Sequence, residues 1–116
     1  MAYAGDAVTP VRMEVRNIYE FLLFDLAFAR WSRWRARSAM VTGHRADATE
    51  HLAQARAAFQ RAEVGFASLS ALVAESTGAD LADVHRHLGK AAEAIEDGRR
   101  YTRDFHPDEQ NAYHRR

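Results

Sequence analysis

Four groups of residues in this chain have types and spacings that could do chemistry. Glu20 and Asp25 are carboxylates inside an apolar run, IYEFLLFDLAFARW, where desolvation would favour the protonated acid and with it general acid or base work. His44, Asp47 and His51 recur at spacings of three and four, which sets two imidazoles and a carboxylate on one helix face, a donor set suited to a divalent metal. The run RWSRWRAR places Arg30, Arg33 and Arg37 on one face with Trp34 beside them. Arginine with tryptophan can hold a phosphate backbone and stack a base, or make cation–π contacts with a protein. The fourth group, Phe21, Phe24, Phe28 and Trp31, is an aromatic stripe whose chemistry is the exclusion of water.

Each reading has an ordinary competitor. No second catalytic partner stands at a defined spacing from Asp25, so it reads first as one half of an ion pair with Arg56 or Arg61; Glu20 is grouped with it as a candidate buried carboxylate. The histidine set, which His106 joins at the same end, has no evident partners to fix its rings, so neither a metal nor a cofactor is expected. His85 and His87 lie about 200° apart on a helix at 3.6 residues per turn and cannot chelate one ion together. The chain has no cysteine, Ser68, Ser70 and Ser76 lack a histidine and aspartate arrangement, and Gly98 stands in no glycine-rich phosphate loop. There is no catalytic signature, and a non-enzyme is the favoured reading.

Charge does not change this. Lysine plus arginine and aspartate plus glutamate number 16 each, so the overall balance favours neither a polyanion nor a membrane surface. Nearly all the cations are arginine and alanine is abundant, a bias that GC-rich coding produces without selection for arginine chemistry. The start of the chain lacks a charged segment followed by an apolar run, and Glu20, Asp25 and Arg30 interrupt the most apolar stretch. A cytoplasmic protein without a membrane partner is expected.

The elements that must position these residues are helices. Thr9-Pro10 supplies a cap and a proline-compatible first position, and Thr42-Gly43 a stop, which predicts a first helix over 10–41. A second, over 45–75, carries a heptad seam of alternating alanine and large residues from Ala48 to Val73 and ends at Ser76-Thr77-Gly78. A third, over 81–105, starts from Asp80 with Asp83 in its first turn. The chain reads as a single helical domain over 1–116, with a mobile arm at 1–8 and a mobile tail at 107–116.

Short connections predict an all-α, up-down-up antiparallel three-helix bundle. Helices two and three each have one apolar seam; the first has two. With Val15, Ile18, Leu22, Leu26 and Ala29 facing inward, the stripe Phe21, Phe24, Phe28, Trp31 is left outside, which predicts a homodimer through the first helix. This layout also gathers Arg30, Arg33, Arg37, Arg99, Arg100 and Arg103, with Trp34, at one pole for an anion or a protein partner. The expected function is therefore that of a small self-associating assembly or interaction module. Two alternatives stay open: a nucleic-acid-associated protein using the arginine and tryptophan pole, and a small helical enzyme or ligand binder with a pocket near Asp25.

Overall fold

The computed structural model describes residues 9–78 and 81–102, among which there are three helices and no strand. α1 spans Pro10–Val41, α2 Arg45–Glu75 and α3 Leu81–Thr102. The expected arm at 1–8, the cap at Asp80, Arg103, His106 and the tail at 107–116 lie outside the described residues.

Local chemistry accounts for the helix ends. The Thr9 hydroxyl oxygen accepts the Arg12 N–H at 3.1 Å, and Pro10 takes the first helical position, where its missing N–H costs nothing. At the other end Gly43 adopts φ 82°, its N–H donates to the Met40 carbonyl at 3.1 Å, and the His44 N–H donates to the Ala39 carbonyl at 2.8 Å. Those two bonds make a Schellman motif, whose left-handed residue is cheap only as glycine. The chain turns within Thr42–His44, and Asp47 follows in the first turn of α2, at the positive end of its dipole.

The main core is built where all three helices meet. Val15 and Leu22 of α1, Ala62, Leu69 and Val73 of α2, and Val84, Ala91 and Ile95 of α3 are buried together, with Ile18, Leu26, Phe66 and Leu88 packed around them. At roughly 1.5–3 kcal/mol for each large apolar side chain buried, this cluster is the principal stabilising element. The inward stripe of α1 is thus the one that steps from Val15 to Ala29.

α3 covers only part of the α1–α2 pair. It begins with Asp83 bonded to Arg12, and Gly98 lies against Leu26 and Phe59. Its 22 residues extend roughly 33 Å, against roughly 48 Å for the 32 residues of α1. Beyond Gly98, among the described residues, α1 and α2 face each other through small side chains: Ala29, Ser32 and Ala36 on α1, Ala48, Ala55 and Ala58 on α2, with Leu52 the large exception. Ser32 Oγ is fully buried there without a hydrogen-bond partner. An unsatisfied buried hydroxyl is costly and alanine is the better helix former, so Ser32→Ala should raise stability by about 1 kcal/mol in urea denaturation.

A charged knot fastens the start of α3. The Asp83 carboxylate accepts from Arg12 Nε at 3.2 Å and from Arg86, and lies 3.8 Å from His87 Nδ1, whose ring meets Tyr19 edge-on at 5.3 Å. Partial burial pushes the Asp83 pKa up, but the hydrogen bond and charge of Arg12, then the charges of His87 and Arg86, outweigh it and hold it below the ordinary 3.8. A carboxyl with a lowered folded pKa stabilises above its unfolded value and loses that contribution as pH falls through the folded one. The stability gap between wild type and Asp83→Asn should therefore be full above pH 3.8 and close below it, as urea midpoints measured down a pH series would show.

Candidate functional site

The helical phase that buries Val15, Leu22 and Ala29 turns the opposite face of α1 away from α2 and α3. Phe21 is 72% exposed, Phe24 66% and Trp31 50%, while Phe28, the fourth member of the expected interface, is half-buried against Ala29, Ala58 and Phe59. Phe28 meets Trp31 with ring centroids 5.8 Å apart, and the Arg35 guanidinium stacks over Trp31 at 4.7 Å from its centroid. Trp34 is 63% exposed. Taking roughly 150–250 Å² for a whole aromatic side chain, the four exposed rings present about 400–600 Å² of apolar surface, as much as the largest patch on a typical monomer.

This face continues into a groove of about 670 Å³ at the end of α3, walled by Leu23, Leu26, Ala27, Trp31, Trp34 and Phe59. Its floor exists because residue 98 is glycine: a β-carbon there would lie 2.6 Å from Phe59 Cε1 and 3.0 Å from Leu26 Cδ2. Gly98 is in the third-helix seam by spacing, but spacing does not reveal that α1 and α2 close on it this tightly.

The two carboxylates separate. Asp25 is partly buried and pairs with Arg61 Nε at 3.3 Å, one of the two partners anticipated for it. Glu20 is exposed and has no ion-pair partner among the described residues, so it is not a buried carboxylate; residue 20 lies on the outer face of α1, well round the helix from the core. A shallow depression of about 470 Å³ beside Asp25, lined by Phe21, Arg61 and Val64, holds no second carboxylate except Glu14.

The arginine group is divided rather than gathered. Arg33 is 6% exposed in the α1–α2 seam, whereas Arg30 and Arg37 are exposed. Arg99 bridges to Glu63 at 3.9 Å and Glu96 at 3.6 Å, and Arg100 to Asp97 at 3.8 Å. Because α3 is shorter than its neighbours, Arg99 and Arg100 lie level with the middle of α1 and α2, far from Arg37 and Arg45, so one common pole does not form. Arg103 lies outside the described residues.

His44, Asp47 and His51 border one small depression with Trp34 and Arg35, but the rings are turned to their own neighbours. His44 Nδ1 is 2.9 Å from the Thr42 hydroxyl and His51 Nδ1 is 3.3 Å from Gln54 Oε1. Among the described residues no three histidine or carboxylate side chains come together as a metal site, and no helix is long and apolar enough to cross a membrane. His87 is partly buried in the Asp83 knot.

No protein-family model matches this chain, and no curated protein or solved structure is similar to it.

Proposed function

We infer that this protein is a small helical self-associating module, an up-down-up antiparallel bundle that completes itself with a second copy through α1 and acts in assembly or protein interaction. The observation that carries the reading is the outer face of α1, where Phe21, Phe24, Trp31 and Trp34 are each at least half exposed. Water tolerates a contiguous aromatic face of that extent poorly, and burying it against its own copy is the most economical remedy.

The order of the interhelical pairs supports the topology. Leu22 with Gly65, Asp25 with Arg61, and Ala36 with Leu52 and Ala55 run in opposite senses along α1 and α2; Arg12 with Asp83 and Leu26 with Gly98 run in the same sense along α1 and α3. The nucleic-acid reading is less favoured, since Arg33 is buried and Arg99 and Arg100 already face carboxylates. A pocket enzyme near Asp25 is less favoured because that carboxylate is held by Arg61.

Both tryptophans of the chain lie on the proposed contact face, so their fluorescence reports association directly. Emission from the full chain should shift to longer wavelength, and acrylamide quenching should rise, as the protein is diluted. Solvent-exposed emission that is the same at every concentration would contradict the reading.

A further inference from the structure

The exposed face of α1 has an order that an aromatic stripe alone does not describe. Starting at Met13 and stepping alternately by four and three residues, a line passes through Phe24, Ala27, Trp31 and Trp34 to Val41, with Asn17, Glu20 and Ser38 at the intervening steps. All nine positions are exposed, and the line contains five of the seven large hydrophobic side chains that α1 exposes, Met13 at 51% and Val41 at 83% among them. Four unbroken heptads of that spacing make a coiled-coil seam, and it lies on the side of α1 away from the seam buried within the chain. It replaces the Phe21, Phe24, Phe28, Trp31 stripe as the contact line, because Phe28 is already packed inward on Phe59 and Phe21 sits to one side of it.

Ala27 is the midpoint of the seam. Phe24 lies three residues before it and Trp31 four after; Met13 lies fourteen before and Val41 fourteen after. Reversing a second copy over Ala27 therefore sets Met13 level with the copy's Val41, Phe24 within one residue of its Trp31, and the small Ala27 against itself, where two helix backbones can approach. Charge selects the same direction. Glu20 is a seam residue with no ion-pair partner among the described residues, and in the reversed register it comes level with the copy's Trp34, one residue from Arg35, the guanidinium already stacked on Trp31. A parallel copy would instead press Glu20 against Glu20, two carboxylates in one desolvated layer. Arg16, on the flank of the same half, comes level with the copy's Ser38.

The area is adequate. Phe24, Trp31 and Trp34 alone expose roughly 270–450 Å². Met13, Val41 and the flanking Leu23 bring the apolar face toward the about 800 Å² per partner that stable interfaces bury. We propose that a second copy of this chain docks along the Met13–Val41 seam with its α1 reversed, Ala27 on the two-fold axis and Glu20 within one residue of the copy's Arg35 across the interface. This rests on the self-association reading, and the test separates the two.

The absence of cysteine makes the test clean, since a single introduced thiol at an exposed position is the only one in the chain. Ala27→Cys should form a covalent dimer on mild oxidation or with a short bismaleimide. Met13→Cys and Val41→Cys should each stay uncrosslinked alone and crosslink to one another when the two variants are refolded together. Met13→Cys joining to itself would mean a parallel copy and would overturn the proposal while leaving self-association standing. No crosslink from any variant in a sample whose mass is dimeric would overturn it too, by placing the contact elsewhere. A monomeric mass at every concentration would overturn both. Each variant is checked for native helix content by circular dichroism.

Discussion

Phe24→Glu should give a folded monomer. Phe24 projects from the face of α1 opposite the core, so the substitution removes nothing from the cluster around Leu22 and Leu69 and should leave helix content and the urea midpoint of the single chain nearly unchanged. At the contact it replaces an aromatic anchor with a carboxylate that loses its water. Aromatic anchors at the centre of interfaces are worth roughly 2 kcal/mol or more, and a two-fold axis counts the lesion twice, which gives about 4 kcal/mol and a dissociation constant weaker by about a thousandfold. Trp31→Glu should behave alike. Leu81→Glu, an exposed hydrophobic residue on α3, is the control and should leave association as it was. Sedimentation velocity of the three variants checks this; a Phe24→Glu protein that sediments as wild type would remove α1 from the interface.

The second large effect separates two glycines of the same helix. Gly89 has nothing within 4 Å of where a β-carbon would stand, so Gly89→Ala should stabilise by about 0.5–1 kcal/mol through helix propensity alone. Gly98 is packed: its β-carbon would meet Phe59 at 2.6 Å and Leu26 at 3.0 Å, and Phe59 is itself buried with little room to turn. Gly98→Val must push α3 away from both neighbours, an overpacking cost of about 1–3 kcal/mol that exceeds any gain in propensity. Thermal unfolding should therefore move in opposite directions for the two substitutions. Since the Gly98 contact also floors the groove beside Trp31 and Trp34, Gly98→Val should alter tryptophan emission as well, whereas Gly89→Ala should not.

What was legible in the sequence was punctuation and phase. Thr9-Pro10 and Thr42-Gly43 mark their helix ends through caps whose physics is local, and the 3.6-residue period divides the apolar residues of α1 into two stripes, of which the structure buries the one from Val15 to Ala29. What was not legible depended on how far each helix reaches. The common arginine pole required α3 to run the full length of the bundle; its contacts at Arg12 and at Leu26 fix it to one half, which strands Arg99 and Arg100 at mid-height, while Arg33 is buried. Glu20 looked buried because its neighbours in the chain are apolar, yet on a helix the decisive neighbours are three and four residues away. The heptad seam through Met13 and Val41 was present in the sequence but hidden by the more conspicuous phenylalanines beside it, and it emerges once exposure shows that Phe28 is half-buried against the Ala29, Ala58 and Phe59 cluster.

The most direct test of the central claim is the mass of the full chain in solution, by light scattering on a size-exclusion column across a range of loading concentrations. Self-association through the outer face of α1 predicts a mass near twice the 13.1 kDa of one chain, falling toward it on dilution and in Phe24→Glu. A mass of 13.1 kDa that persists at the highest concentrations would contradict it, because the aromatic face of α1 would then be tolerated by water without a partner.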